Sequence, residues 1–268
     1  DVHSGYQGNE EWDWKGAHGS QDDTPEKRLS PKPNAAGEPG YVVSSAGSTC
    51  VWAEENTREA IFDAMKRKET YATSGTLIRL RFFGGWSYAK NLTERKDFVK
   101  KAYAGGVPMG GDLPAKPGGA NAPTFAVWAL KDPHSGNLDR IQIIKGWSDP
   151  VNGYPKEAIY DVAWSDDRKA DPNTGKLPPI GNTVDIKTAT YENTIGDTQL
   201  SAVWTDPDFD PSMKAVYYVR VLEIPTPRWS TYDAIKLGVD PPEGVPATIQ
   251  ERAYSSPIWY TPATVDRK

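Results

Sequence analysis

Cysteine is almost absent from this chain, which contains one, Cys50, among 268 residues. A single thiol excludes an internal disulfide framework and a zinc site built from several cysteines. No neighbouring residue would activate a thiolate, so Cys50 is predicted to be a small buried apolar side chain. Long hydrophobic runs are also missing, because no stretch approaches the roughly 18 apolar residues of a membrane span.

A basic stripe of the kind that binds nucleic acid is missing as well. The formal net charge is −5 and the two signs are mixed along the chain, which argues against a nucleic-acid partner. No signal peptide is visible, and the chain starts at Asp1 rather than at an initiator methionine. We therefore expect Asp1 to lie in the middle of a longer protein.

Aromatic residues, glycine and proline are plentiful by contrast. The 10 Trp, 13 Tyr and 6 Phe bury large areas each, which lets a globular core form although only 37% of the residues are hydrophobic. The 24 Gly and 23 Pro are spread along the chain and indicate many turns and long ordered loops. This composition favours a β-rich architecture over a helical bundle.

One helix is clearly predicted, at residues 57–68. Asn56 is a suitable N-cap and Glu59 follows three residues later, as in a capping box. A shorter helical segment is expected at residues 97–103. The apolar face of the first helix, at helical spacing, consists of Ala60, Ile61, Ala64 and Met65.

After the first helix the hydrophobic period changes to two. This change predicts strands at residues 71–73 and 78–83, with a hairpin-type connection at residues 74–75. Arg79 and Arg81 alternate with apolar residues, so one face of the second strand is expected to be solvated or paired.

More strands are predicted in the second half of the chain, and such a series suggests a β-sandwich-like or strongly bent antiparallel unit. An extended segment is expected at residues 252–262. The further strands are predicted at residues 125–130, 141–147, 158–164, 184–190, 200–204 and 216–223. The tryptophans in these strands that we expect to be largely buried are Trp128, Trp164 and Trp204.

Two motifs match a functional pattern poorly. The Gly/Pro-rich loop at residues 105–123 lacks the Lys-Ser/Thr of a phosphate-binding loop and is interpreted as a tight loop with unusual backbone angles. Asp206, Asp208 and Asp210 are spaced like calcium ligands, but Pro211 stands where the turn glycine should be. A turn with solvated carboxylates is therefore favoured there over cation binding.

A few single residues have two interpretations each. Arg228 and Trp229 could form a cation–π pair, or Trp229 could be a platform for a sugar, although packing in the core or at a corner is favoured. His18 and His134 lie in polar loops and are interpreted as solvated histidines.

The start of the chain carries a D-x-H pattern. The carboxylate of Asp1 and the imidazole of His3 are two residues apart, so they project the same way from an extended segment and can bind one metal ion together. By itself the pattern is weak, because chance supplies it in many chains.

Longer segments resemble known proteins. The segment NTREAIFDAMKRKETYATSGTLIRLRFF at residues 56–83 resembles the part that closes the catalytic barrel in PHP-type proteins, the polymerase-and-histidinol-phosphatase-like metallohydrolases. Four more segments resemble one bacterial family related to the PHP group, catalogued as domain of unknown function three-six-zero-four. They are GVPMGGDL, TDPDFDP, YYVRVLEIPTPRWSTYDA and QERAYSSPIWYTP, at residues 106–113, 205–211, 217–234 and 250–262.

This resemblance implies a secreted or periplasmic bacterial protein of roughly twice this length. Its N-terminal half is similar to a PHP barrel that begins with an H-x-H ligand pair and has S-D-x-H as its last ligand motif. Residues 1–29 match the end of that motif and the loop after it, so Asp1 and His3 correspond to the last metal-binding pair. The implied cofactors are divalent Zn, Mn or Fe ions, held mostly by the missing N-terminal half, which is the expected partner.

The expected fold is mixed α+β. Residues 1–75 are expected to be the end of a PHP-type α/β barrel with its closing helix, and residues 76–268 a β-rich, sandwich-like appended domain. The resemblance implies the C-terminal portion of a metal-dependent hydrolase that acts on a phosphoester or related bond of an unidentified substrate. This portion alone is not expected to be active, because a hydrolytic metal needs about three protein ligands.

Two alternatives stay open at this point. The chain could be a non-catalytic β-rich binding or scaffold module that holds a glycan or a partner protein. It could also be an independently stable fragment released by proteolysis.

Overall fold

The computed structural model of the chain describes residues 15–16, 24–33, 39–44, 47–149 and 151–262. Its strands are β1 (Lys15–Gly16), β2 (Val43–Ser44), β3 (Ser48–Val51), β4 (Thr70–Thr73), β5 (Arg79–Gly85), β6 (Gly106–Pro108), β7 (Thr124–Leu130), β8 (Leu138–Ser148), β9 (Pro155–Trp164), β10 (Gln199–Thr205), β11 (Ala215–Pro227), β12 (Thr248–Ser255) and β13 (Ile258–Tyr260). Its α-helices are α1 (Pro25–Arg28), α2 (Arg58–Lys66), α3 (Phe98–Gly105) and α4 (Trp229–Leu237), with 3-10 turns at Gly40–Val42 and Leu92–Glu94. None of the helices in these ranges is long and apolar enough to cross a membrane.

Two antiparallel sheets dominate the structure. The larger sheet has seven strands in the order β3-β4-β12-β11-β8-β9, with β13 also paired to β11. The smaller sheet has four strands in the order β10-β7-β5-β6. A short parallel pair, β1 with β2, stands apart from both. The predicted mixed α+β class with mainly antiparallel strands is therefore confirmed.

The apolar faces of the two sheets share one core. Period-two alternation turns Leu80 and Phe82 of β5 toward this core, and both are almost fully buried. Phe125 of β7 stacks on Phe82 with ring centroids 5.5 Å apart, and contacts Tyr217 of the larger sheet at 4.4 Å. Packing of two inner sheet faces is the arrangement of a sandwich, in agreement with the expected sandwich-like unit.

A second, smaller cluster covers the outer face of the four-stranded sheet. Phe83 of β5 points away from the main core and packs edge-on against Phe98 of α3, with centroids 5.7 Å apart. Tyr103, in the last turn of the same helix, also contacts Phe83, at 4.9 Å. Helix α3 is thereby fixed on β5, and its end reaches the rim of the larger sheet.

The segment before residue 75 contributes directly to the larger sheet. Strand β4 pairs with β12 through Thr73↔Ala253 and Tyr71↔Ser255, and with β3 on its other side. The PHP-type barrel and the domain boundary at residue 75 remain predictions.

Three local predictions were wrong. Helix α2 begins at Arg58 and is capped by Thr57, whose Oγ1 accepts a hydrogen bond from the Ala60 amide at 3.3 Å, so Asn56 is not the cap. The connection at residues 74–75 is not a hairpin, because β4 and β5 belong to different sheets. Residues 184–190 form turns rather than a strand.

The turn at residues 184–190 has a local cause. The side chain of Asp185 accepts a hydrogen bond from the Lys187 amide at 2.9 Å, and Asp185 makes an isolated bridge to Thr190. Such side-chain bonds to the nearby backbone compete with a strand ladder. The other predicted strands are present, and α4 is a helix that was not predicted.

The three strand tryptophans are less buried than expected. Trp128, Trp164 and Trp204 lie in strands as predicted, but each keeps part of its surface exposed. Trp164 and Trp204 lie in β9 and β10, which are the edge strands of their sheets. Trp128 packs against the smaller cluster on the outer face of the four-stranded sheet. Trp204 still packs on Tyr160 of β9, with centroids 4.8 Å apart.

Gly110 occupies a position that only glycine tolerates. Its φ is +86°, and a Cβ added there would lie 2.2 Å from the Lys68 carbonyl oxygen. We expect Gly110→Ala to lower the free energy of unfolding by about 1–3 kcal/mol, as measured by urea denaturation. Gly118→Ala in the same loop is the matched control, since its Cβ would meet no atom within 4 Å. Equal effects of the two substitutions would contradict the strain at Gly110.

Candidate functional site

The predicted metal pair Asp1 and His3 lies outside the described residues, as does His18. The partial metal site therefore stays a prediction. Within the ranges that the structure describes, no group of three or more His, Cys, Asp and Glu side chains could hold a metal ion.

The aspartate motif at residues 206–210 holds a lysine side chain rather than solvent. Asp206 is buried, and its Oδ2 lies 2.7 Å from Lys145 Nζ and accepts a hydrogen bond from the Tyr217 hydroxyl at 2.7 Å. Lys145 also donates to the backbone carbonyl of Asp208 at 2.7 Å. The interpretation as a solvated carboxylate is thus wrong for Asp206, because the ammonium group of Lys145, on strand β8, pairs with it.

Arg228, Trp229 and His134, for which the sequence suggested roles, lie within the described residues. Arg228 and Trp229 form the cation–π pair, with the guanidinium carbon 5.0 Å from the ring centroid. Burial lowers the pKa of Arg228 to about 10, so it keeps its charge at neutral pH. His134 is exposed, and its backbone amide donates to Asp132 Oδ1 at 2.8 Å, as expected of a loop residue.

A polar cleft of about 440 Å³ opens where the rim of the larger sheet meets α2, β5 and α3. Charged and aromatic side chains from four separate segments meet there. We call it the arginine cleft; its lining residues are Trp52, Ala53, Glu54, Arg67, Glu69, Arg81 and Tyr103.

Local structure explains why these side chains meet. Trp52 follows β3 directly, and its backbone amide donates to the carbonyl of Glu69, just before β4, at 3.0 Å. Arg67 is the C-cap of α2, and Arg81 lies on the face of β5 opposite the core residues. Tyr103 comes from the last turn of α3. Four chain segments thus meet at Glu69, and three of the side chains, those of Arg67, Arg81 and Tyr103, contact its carboxylate.

Glu69 is the buried anion at the floor of the cleft, with 3% of its surface exposed. Its carboxylate accepts a hydrogen bond from the Tyr103 hydroxyl. Arg81 Nη1 lies 3.5 Å from Oε1, and Arg67 Nη2 lies 3.7 Å from Oε2. A buried carboxylate needs such partners, because an unpaired charge in the interior is costly.

Arg81 is held rigidly above Trp52. Its guanidinium carbon lies 3.3 Å from the centre of the indole ring, a close cation–π contact. The ring itself is fixed, because its Nε1 donates to the carbonyl of Leu80 at 2.8 Å. Only 16% of the Arg81 side chain is exposed, whereas 47% of the Arg67 side chain is exposed. The cleft therefore has one fixed and one accessible guanidinium group.

Tyr103 acts as a hydrogen-bond donor at neutral pH. Burial, together with the neighbouring Glu69 carboxylate, raises the pKa of the Tyr103 hydroxyl to about 12. The hydroxyl consequently stays protonated and donates its hydrogen bond to the Glu69 carboxylate. Taken together, these groups can bind and orient a polar ligand.

The cleft was only partly visible in the sequence. The alternation of Arg79 and Arg81 predicted a solvated or paired face, and Arg81 is indeed paired, with Glu69. Nothing in the local sequence indicated that Trp52 or Tyr103 would join them.

The chain matches one protein-family model along nearly its whole length. The model is described as a protein of unknown function (DUF3604), and the match covers residues 1–262. The chain belongs to the DUF3604 family. Neither the comparison with curated proteins nor that with solved structures finds a match. The family description gives no activity, so a function for this DUF3604 protein has to be argued from its residues.

Proposed function

We propose that this DUF3604 chain is the C-terminal portion of a metal-dependent hydrolase, and that its β-rich unit is the ligand-binding module of that enzyme. The arginine cleft supports the second half of the proposal. It combines a fixed guanidinium, an accessible guanidinium and an aromatic wall in one concave site, which is how proteins recognise small polar ligands. The secreted or periplasmic location implied by the family resemblance belongs to the same proposal.

The hydrolytic half of the proposal rests on the PHP resemblance and on the D-x-H pair at the start of the chain. Asp1 and His3 provide a carboxylate and an imidazole, both suited to Zn, Mn or Fe. Bound metal ions of this kind lower the pKa of water and stabilise the charge that develops in phosphoester hydrolysis. The pair supplies two of the roughly three ligands needed, so we assign the others to an N-terminal half.

Loss of the D-x-H pair tests this half in the full-length protein. We expect Asp1→Asn together with His3→Ala to lower metal content and to reduce hydrolysis of a generic phosphodiester by about 10-fold or more. Metal is measured by inductively coupled plasma mass spectrometry and hydrolysis by release of nitrophenol. His134→Ala, an exposed histidine in a loop, is the control and should change neither. Metal-dependent hydrolysis by residues 1–268 alone would refute the assignment of the remaining ligands.

A second candidate is a binding or scaffold module without catalysis, for a glycan or a protein partner. The arginine cleft favours it, because ligand binding there needs no metal. The metal measurement separates the two candidates: full-length protein purified without any transition metal supports the binding module.

A further inference from the structure

We propose that the arginine cleft binds an anionic group, a carboxylate or a phosphate, on a small sugar-sized ligand. The inference rests on the ligand-binding role proposed above and adds the chemical class of the ligand. Three features of the cleft support it: the exposed guanidinium group of Arg67, the fixed position of Arg81, and the burial of Glu69.

Arg67 has hydrogen-bond donors to spare. Among the described residues, its nearest charged partner is Glu69, at 3.7 Å, a distance that makes an ion pair but is longer than a hydrogen bond. Almost half of the side chain, 47%, is exposed at the mouth of the cleft. An arginine in this state can turn its planar fork toward an incoming carboxylate or phosphate and bind it with two parallel hydrogen bonds.

Arg81 supplies a second cation that is already in place. Its Nη1 donates to the Tyr103 hydroxyl at 3.2 Å, and its flat face rests on Trp52. Most of its N–H groups make no hydrogen bond to another described residue, and the side chain has little freedom left to lose on binding a ligand. A partly desolvated guanidinium also attracts an anion more strongly than one in open water.

Glu69 does not compete as a recognition group. Its carboxylate faces Tyr103, Arg81 and Arg67 and is only 3% exposed, so a cationic ligand has little access to it. Inside the mouth of the cleft, two guanidinium groups face one buried carboxylate, which is a formal sum of +1 before the exposed Glu54 is counted. Glu54 is exposed at the rim, where its negative charge opposes the entry of an anion.

Calorimetric titrations of the full-length protein, stripped of metal by chelation and dialysis, test this inference. The ligands are D-glucuronate, glucose 6-phosphate and D-glucose, which share a ring and differ in charge. We expect both anions to bind about 10-fold more tightly than glucose, and to lose affinity when the salt concentration rises. The tighter of the two anions identifies the preferred group.

Two variants, one that removes a positive charge and one that removes a negative charge, make the test specific to the cleft. Arg67→Gln should weaken glucuronate binding about fivefold or more, and Glu54→Gln should strengthen it about twofold. Both residues are exposed, and Arg81 and Tyr103 still contact Glu69 in Arg67→Gln, so neither change should alter the fold, which a thermal melt verifies. Arg58→Gln is the matched control, because Arg58 lies about 13 Å away at the other end of α2 and beyond the screening length of about 8 Å.

The outcomes that overturn the inference are distinct from failure of the proposed function. Glucose binding as tightly as glucuronate leaves a ligand-binding module but refutes an anion site. Unchanged binding in Arg67→Gln, weaker binding in Glu54→Gln, or no binding of either anion at millimolar concentration also refutes it. The hydrolytic proposal is tested separately, by the metal content and by the Asp1 and His3 variants.

Discussion

Lys145→Met is expected to lower the free energy of unfolding by about 3–5 kcal/mol, because it leaves a buried charge without its partner. Lys145 and Asp206 are 3% and 2% exposed, and their charged atoms are 2.7 Å apart. The methionine fills a similar volume, so the loss reflects the charge rather than a cavity. Urea denaturation at neutral pH measures it.

A surface pair on the neighbouring strand provides the control. Lys156 lies 3.8 Å from Asp149 and its side chain is 50% exposed, so Lys156→Met should change stability by less than about 1 kcal/mol. The double variant Lys145→Met with Asp206→Asn should recover part of the loss, because both charges are then removed together. A Lys145 effect as small as that of Lys156 would show that water reaches the Asp206 carboxylate.

Glu223 is expected to make the protein less stable as the pH rises from about 4.5 to 7. The residue is fully buried, and burial, followed by the negative charges of Glu251 and Asp132, raises its pKa from 4.5 to about 7. Over this interval the unfolded chain has released the proton while the folded chain retains it, so the free energy of unfolding falls with pH. At about 1.4 kcal/mol for each pKa unit, the full loss is about 3 kcal/mol, and it is complete above pH 7.

Glu223→Gln tests this prediction through its pH dependence. Ser135 Oγ donates to Glu223 Oε2 at 2.5 Å, and the glutamine oxygen can accept the same bond. The variant should match the natural protein near pH 4.5 and be more stable by about 1–3 kcal/mol at pH 8. Glu243→Gln, at an exposed position, is the control for a simple change in net charge. Identical pH profiles for natural protein and Glu223→Gln would contradict the raised pKa.

The strands were largely predictable from the sequence, whereas their partners were not. Alternation in residues such as Leu80 and Phe82 identifies a strand, because it is a local property with period two. Which sheet a strand joins depends on contacts distant in sequence, such as Tyr71 with Ser255. For that reason the link between β4 and β5 was read as a hairpin although it passes from one sheet to the other.

The charged clusters were hidden for the same physical reason. Asp206 looked like a solvated turn residue because its partner, Lys145, lies 61 positions earlier on another strand. Glu69 and Tyr103, likewise, meet only because α3 packs on β5. In both cases the sequence shows the ionisable residues, and only the packing decides whether they are in water or in a buried pair.

Strand β9, at the edge of the seven-stranded sheet, has features that oppose aggregation of the protein. An open edge can template pairing with another chain, and proteins block such edges with proline, charges and bulges. The edge strand carries all three: Pro155 begins it, Lys156 and Asp161 place charges along it, and Val162 is an extra residue between the Ile141↔Ala163 and Gln142↔Asp161 pairs. Its ten residues are therefore a poor template for aggregation, although no other described strand pairs with the outer side of β9.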